Sequence, residues 1–190
     1  LLVTYNQGKR KGEKSEVACC PGETPHHLIE AHGLCEEGER GDPLPEFNKS
    51  GKGKVPYAVN DAPCVCVKGG RAEAEHGAFH ALVGQKENAA VAAAGKGKNK
   101  CKPDQAWTYK DAKKAGSQAL QKVFPDSACS QKCTEAQLDK FHNKCGCEDD
   151  TPLRTGTQGL MEWQKKNQAE VLKKMKEDLK TWSPTSGTGP

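Results

Sequence analysis

A short segment near the start of the chain organises the rest: Pro21-Gly22-Glu23-Thr24-Pro25-His26-His27-Leu28-Ile29-Glu30-Ala31-His32. Its opening Pro-Gly pair predicts a turn, and Pro25 disfavours helical geometry at Thr24. We therefore expect a short strand, or a strand-like loop, that carries His26 and His27. Because successive side chains of a strand point to opposite faces, these two histidines cannot do the same job. One could bind a metal ion while the other accepts a proton, since imidazole suits both roles.

A second pair of histidines, His76 and His80, lies in a segment rich in helix formers between Arg71 and Val83. At this i, i+4 spacing the two side chains share one helical face and can chelate one divalent ion. Gly77 stands where a zincin metalloprotease has its catalytic glutamate, which counts against that class. Taken alone, each histidine pair is more often an ordinary solvated surface feature, so their order along the chain carries the argument.

The composition describes a chain with a modest core. Of its 190 residues 34% are hydrophobic, which indicates one domain, or one and a half, with long loops or solvated helix. The formal net charge of +4 permits contact with a polyanion without demanding it. No stretch is apolar over the length of a membrane span, and we expect no membrane partner.

Ten cysteines suit either disulfides or a zinc site. The two Cys-x2-Cys knuckles of a zinc ribbon are not present, so we favour disulfides formed in an oxidising compartment. The pairing cannot be read from the spacing, and buried free thiols in a reducing compartment are the alternative. The ten are Cys19, Cys20, Cys35, Cys64, Cys66, Cys101, Cys129, Cys133, Cys145 and Cys147.

The composition divides the chain into four parts. Residues 1–18 are polar and charged, which predicts a linker with little local structure. Since the chain does not begin with Met, we interpret it as the C-terminal module of a longer polypeptide. Residues 19–155 form the main domain. A C-terminal helix with an apolar stripe is predicted over 156–182, and a disordered tail over 183–190.

The second half of the main domain is predicted to be mostly helical. Asp104 can cap a helix that ends near Val123, and Ser130 or Thr134 can cap the next one. We expect His142 on the surface of that short helix, without a catalytic role.

The order of the elements along the chain points to one kind of chemistry. An extended pair of histidines, a β-forming segment at Cys64–Val67 preceded by Asn60, and a helix bearing His-x3-His follow the order of a ββα-metal nuclease site. Hydrolysis of a phosphodiester requires an activated water, neutralised charge on the phosphate and a protonated leaving oxygen. One divalent ion can act on the phosphate while a strand histidine removes the proton from the attacking water.

Three blocks of the sequence carry a family resemblance: Cys20-Pro21-Gly22-Glu23-Thr24-Pro25-His26-His27-Leu28-Ile29-Glu30, Asn60-Asp61-Ala62-Pro63-Cys64-Val65-Cys66-Val67 and His76-Gly77-Ala78-Phe79-His80. Together they resemble the GHH-signature toxins of the HNH/endonuclease VII superfamily, which occur as C-terminal domains of polymorphic toxins and type VI secretion effectors. The resemblance covers about residues 19 to 155. It implies an α+β fold with a small ββα-metal core, long loops and a largely helical C-terminal half.

The resemblance also implies roles for individual residues. His27 would be the general base and His26 the first metal ligand. His76 and His80 would be the metal ligands from the helix. Asn60 would be the middle asparagine of the HNH pattern, which braces the loop and the base.

Some positions near this site have alternatives or depart from the signature. Pro25 stands where the signature has glycine, and because proline fixes φ and lacks an N–H, we expect an altered strand geometry. Asp61 is an alternative to Asn60. Glu30 could orient the base or the metal ligands, although a solvated carboxylate is the more ordinary reading, and His32 is expected in a loop or at a helix cap.

The function implied by the resemblance is that of a metal-dependent, largely sequence-nonspecific DNA endonuclease. It would use one divalent ion, Mg²⁺, Mn²⁺ or Zn²⁺, and would act as a secreted antibacterial toxin in the target-cell cytoplasm. The implied partners are DNA, a cognate immunity protein, and the tip of a secretion apparatus reached through a missing N-terminal region. Two alternatives stay open: a metal-dependent RNase on the same site, and a cysteine-stapled binding or adaptor domain without catalysis.

Overall fold

The computed structural model describes residues 2–9, 18–36, 42–50, 54–70, 74–94 and 106–156. These residues form an α+β fold in which a small antiparallel sheet packs beside longer helices, as predicted. The strands are β1 (Val3–Thr4), β2 (Glu23–His27) and β3 (Pro63–Lys68). The helices are α1 (Tyr5–Gly8), α2 (Ala74–Ala94), α3 (Tyr109–Val123) and α4 (Gln131–His142).

The sheet has the strand order β1-β3-β2, with both neighbouring pairs antiparallel. All five residues of β2 pair with β3, and Pro25 lies opposite Cys66. Within the described residues β2 is an edge strand, where a residue without an N–H is tolerated. We expected Pro25 to alter the strand geometry, but the pairing continues in register on both sides of it.

The N-terminal segment has more structure than the sequence predicted. Within the linker predicted over 1–18, of which residues 2–9 and 18 are described, Val3 and Thr4 pair with the beginning of β3, and α1 follows at once. The Thr4 side chain accepts a hydrogen bond from the Gln7 backbone, while the Gln7 side chain accepts one from the Thr4 backbone. Local polarity concealed this short strand because its partner is about sixty residues away in the sequence. The wider domain boundaries stay a prediction.

The helices largely follow their sequence signals. The helix expected around the second histidine pair continues beyond Val83 and forms the single helix α2, which ends at Ala94. Thr108 caps α3 through a capping box with Asp111, and Ser130 caps α4. The predicted cap Asp104, the predicted C-terminal helix over 156–182 apart from its first residue, and the tail over 183–190 lie outside the described residues. None of the described helices is long and apolar enough to cross a membrane.

Helix α3 packs directly on the backbone that follows β2. A Cβ atom at Gly116 would come 2.3 Å from the Leu28 carbonyl oxygen, so only glycine allows this approach. Leu28 and Phe79 are fully buried in the same core cluster. The core therefore supports the end of β2 from one side and the histidine-bearing helix α2 from the other.

The described cysteines provide both a disulfide and buried core side chains. One disulfide joins Cys19, ahead of β2, to Cys66 in β3. Four of the other described cysteines are buried, where a cysteine side chain packs as a small hydrophobic group. Cys101 lies outside the described residues. These four are Cys35, Cys64, Cys145 and Cys147.

His142 is buried, so the prediction of a surface position is wrong. Its side chain is 1% exposed, and its Nδ1–H donates to the Leu138 carbonyl at 2.9 Å. Its ring packs between Tyr57 and Tyr109. Burial lowers the pKa of His142 to about 4. The two tyrosines come from segments distant in the sequence, so the pattern of residues within the helix cannot reveal that they cover His142.

Candidate metal centre

Three histidines from two elements meet at one point. His26 comes from β2, and His76 and His80 come from one face of α2. One ring nitrogen from each lies within 4.8 Å of the other two. The His26 ring meets each helix ring edge-on at a centroid distance of 4.7 Å, and the helix rings stack at 5.1 Å. The structure thus brings together all three residues predicted as metal ligands.

His26 lies at the buried side of this cluster. Its Nε2 atom is buried and has no hydrogen-bond partner among the described residues, an arrangement that costs about 1–3 kcal/mol unless the atom finds a partner. Burial, followed by the proximity of His80, lowers the pKa of His26 well below 6.5. The ring is therefore neutral at pH 7 and can offer a lone pair to a cation. A buried, unpartnered imidazole beside two others fits a divalent ion.

The two helix histidines are oriented by hydrogen bonds at their far sides. His80 Nδ1–H donates to Glu30 Oε1 at 2.9 Å. His76 Nδ1–H donates to Thr24 Oγ1 at 3.0 Å, and this hydroxyl donates to the Gly69 carbonyl at 3.4 Å. A proton on Nδ1 leaves Nε2 as the nitrogen with a lone pair. Partners of this kind set the tautomer and direction of metal-binding imidazoles.

His27 points away from the cluster, as the strand alternation predicted. Its Nε2 atom lies 2.8 Å from the Val59 carbonyl oxygen, so Nε2 carries a proton that it donates to this carbonyl. The ring stacks on Tyr5 of α1, with centroids 4.8 Å apart and planes 14° apart. His27 is only 5% exposed. A histidine whose Nε2–H is held by a carbonyl oxygen is suited to accept a proton at its other ring nitrogen.

Asn60 lies beside this arrangement in a 3-10 turn, Val59–Asp61, that precedes β3. Its side chain is exposed, and the described contact from this turn to His27 comes from the backbone carbonyl of Val59. The neighbouring Asp61 accepts a hydrogen bond from Asn6 at 3.3 Å. The bracing role of Asn60 stays a prediction.

Behind the cluster lies a network in which Glu30 contacts a metal-ligand candidate, one of the two alternatives given for it above, and which also includes His32 and Glu87. Glu30 is 9% exposed at its side chain, and its Oε2 lies 3.1 Å from His32 Nδ1. On the other edge of that imidazole, Nε2 lies 3.3 Å from Glu87 Oε1. Burial raises the pKa of Glu30, but His80 and His32 offset this and hold it well below its usual value. The sequence does contain one signal for the place of Glu87 in this network: it stands seven residues after His80 and therefore on the same helical face.

An open cleft adjoins the outer side of the cluster. The cleft is lined by His76, by residues of α1 and by residues of the turn that leads into β2. Tyr5, the stacking partner of His27, lines the same cleft, and so does Lys9, whose Nζ atom lies 4.3 Å from the centre of the Tyr5 ring. A cationic side chain, one histidine of the cluster and the stacking partner of His27 therefore border one concavity.

Comparison with known proteins gives two matches. Residues 23–142 match a family described as GHH signature containing HNH/Endo VII superfamily nuclease toxin 2. The chain is also 36% identical over 149 residues to the DNase toxin Tse7 of Pseudomonas aeruginosa, a match that covers 72% of this chain and 35% of that protein. The chain thus spans about a third of the relative's length. Among solved structures, no significant match was found.

Proposed function

Since this chain belongs to the GHH-signature nuclease toxins of the HNH/endonuclease VII superfamily, we propose that it is a metal-dependent DNA endonuclease with little sequence preference. The observation that carries this proposal is the pairing of two sites on opposite faces of one strand. His26 joins a three-histidine cluster on one face, and on the other face His27 is held as a single tautomer by Val59. DNA is proposed as the substrate because the similar Pseudomonas protein is named a DNase toxin.

His27 is the general base in this proposal. The Val59 carbonyl holds the ring through Nε2–H, so Nδ1 takes the proton from the attacking water. The resulting imidazolium keeps its hydrogen bond to Val59. Tyr5 stacks against the ring and holds it in the orientation that proton transfer requires.

His26, His76 and His80 are proposed to hold one divalent ion. When bound, such an ion supplies charge neutralisation at the phosphate and at the leaving oxygen. The residues contribute three imidazole nitrogens, and two of these rings are oriented by hydrogen bonds to Glu30 and Thr24. Mg²⁺, Mn²⁺ and Zn²⁺ are the candidate ions. Imidazole donors favour Zn²⁺ or another transition metal over Mg²⁺.

The biological setting is also part of the proposal. We propose that the chain is a secreted antibacterial effector that acts on DNA in the target-cell cytoplasm. A producing cell then needs a cognate immunity protein that covers the cleft beside His76. Delivery would use the tip of a secretion apparatus, reached through a region N-terminal to this chain. Membership of a toxin family supports this setting.

Cleavage of supercoiled plasmid tests the proposed activity. The purified chain is incubated with Mg²⁺, Mn²⁺ or Zn²⁺, with and without EDTA, and compared with His27→Ala, His80→Ala and the exposed-site control Lys114→Ala. We expect the wild type and the control to nick and linearise the plasmid. The cleavage rate should fall at least a hundredfold in both histidine variants. No chain should cleave the plasmid in the presence of EDTA. A wild-type chain that leaves DNA intact with every ion refutes the endonuclease.

Structured and single-stranded RNA in the same assay separates the alternatives. Cleavage of RNA with intact DNA assigns the site to a metal-dependent RNase. Binding of a metal ion without cleavage of either polymer supports the non-catalytic binding domain. We expect DNA to be cut faster than RNA.

A further inference from the structure

Four side chains form one continuous buried row behind the metal centre. From the metal side, His80 Nδ1 lies 2.9 Å from Glu30 Oε1, and Glu30 Oε2 lies 3.1 Å from His32 Nδ1. The far nitrogen of His32 lies 3.3 Å from Glu87 Oε1. Both Glu30 oxygens and both His32 nitrogens are used, so no member of the row can turn without breaking a contact.

The row is anchored at both ends by α2. His80 and Glu87 lie two helical turns apart on the same face of this helix, and the pair Glu30–His32 spans the gap between them. The backbone N–H of Gly156 also donates to Glu87 Oε1, at 2.5 Å. Arg154 Nε–H donates to the His32 carbonyl at 3.1 Å. The far end of the row is thus fastened to the segment around residue 155.

Charge explains why His32 stands between two carboxylates. The side chains of Glu30 and Glu87 are 9% and 5% exposed, and two buried carboxylates without a cation between them would repel each other and lose hydration. Burial by itself would lower the pKa of His32, but its hydrogen bonds to Glu30 and Glu87 raise it to about 10. His32 is therefore an imidazolium at neutral pH and donates to both acids.

We propose that His32 and Glu87 are positioning residues of the metal centre, which hold Glu30 in the single orientation that directs His80 Nε2 at the ion. This inference rests on the proposed function, since it assigns these residues to the same centre. His32 does not reach the three-histidine cluster itself; its effect passes through Glu30. Loss of an outer partner of a metal ligand typically costs 10- to 100-fold in metal affinity.

Two substitutions of His32 form a matched pair. The amide nitrogen of His32→Asn occupies the place of Nδ1 and retains the bond to Glu30. That of His32→Gln occupies the place of Nε2 and retains only the bond to Glu87. Zn²⁺ and Mn²⁺ binding to the full chain is measured by titration calorimetry without nucleic acid. We expect the metal affinity of H32Q to be about tenfold or more below that of the wild type. The metal affinity of H32N should be within about threefold of the wild-type value.

The thermal midpoint of each metal-free variant is also measured, and a lower metal affinity of H32Q at a midpoint equal to that of H32N separates positioning from a merely structural role. Equal affinity for H32Q, H32N and wild type overturns the inference, whatever the midpoints are, and so does an equal loss in both variants. If H32Q does not fold, ring-nitrogen chemical shifts of the wild-type chain at pH 7.5 decide: two protonated nitrogens on His32 support the inference, and one overturns it. A wild-type chain that binds no metal and cuts no DNA instead refutes the proposed function.

Discussion

The Tyr5 ring stacks on the His27 ring, with 4.8 Å between centroids and planes only 14° apart. This contact joins the N-terminal helix α1 to the proposed general base. Tyr5 is itself held by a backbone hydrogen bond from its N–H to the Ala62 carbonyl. The stacking partner and the Val59 carbonyl together leave the imidazole one orientation.

Removal of this stack is expected to slow cleavage more than it weakens substrate binding. We predict that Tyr5→Ala lowers kcat about 10- to 100-fold, because a small displacement of a catalytic group has effects of this size. Tyr5→Phe keeps the stacked ring and should stay within about threefold of wild type. Plasmid cleavage at saturating metal ion gives both rates, and equal rates for the two variants would argue against an orienting role.

The close approach of Gly116 to Leu28 predicts a large effect of one methyl group. In Gly116→Ala the added Cβ meets the Leu28 carbonyl oxygen at 2.3 Å, and α3 must move away from β2. We expect a loss of about 1–3 kcal/mol in the free energy of unfolding, despite the better helix propensity of alanine. Urea unfolding measures this free energy. The control Lys114→Ala, at an exposed site of the same helix, should change the free energy of unfolding little.

The Cys19–Cys66 disulfide should contribute much of the stability of the sheet. It closes a segment with a sequence separation of 47, for which loop-closure entropy corresponds to about 4 kcal/mol. We predict that the double variant Cys19→Ser, Cys66→Ser loses about 2–4 kcal/mol in urea unfolding under non-reducing conditions. Cys20→Ser, next to the bridge and exposed, serves as the control. A double variant as stable as this control would show that the bridge contributes little.

His142 predicts a defined loss of stability in acid. Its folded pKa of about 4 lies below the unfolded value near 6.5, so the unfolded chain binds the proton more readily. The stability contribution is complete above pH 6.5 and is lost as the pH falls towards 4. His142→Asn keeps a donor for the Leu138 carbonyl but does not titrate. Between pH 7.5 and 4 we expect the wild type to lose as much as about 3 kcal/mol more than this variant.

Measurements of unfolding across this range should use metal-free protein. Without bound metal, the other histidines contribute equally in the wild type and in His142→Asn. The difference between the two free energies of unfolding then reports on His142 alone. Parallel curves for wild type and His142→Asn would mean that the buried ring is not neutral in the folded protein.

Local sequence predicted the part of the site that depends on backbone periodicity. Pro25 places the first histidine pair in an extended strand, and alternation along that strand sends His26 and His27 to opposite faces. Helical spacing puts His76 and His80 on one face. Each of these relations joins residues at most four positions apart in the sequence, so the local backbone geometry is enough to derive them.

Only the tertiary structure decided what surrounds those histidines. Tyr5 reaches His27 because β1 pairs with β3, and Glu87 reaches His32 across 55 residues of sequence. The burial of His142 between two tyrosines and the pairing of Cys19 with Cys66 are equally long-range. Such contacts depend on how the elements pack, and the burial that results sets the tautomers, charges and pKa values. The sequence by itself thus determined the histidines and their order, and packing decided which groups orient them.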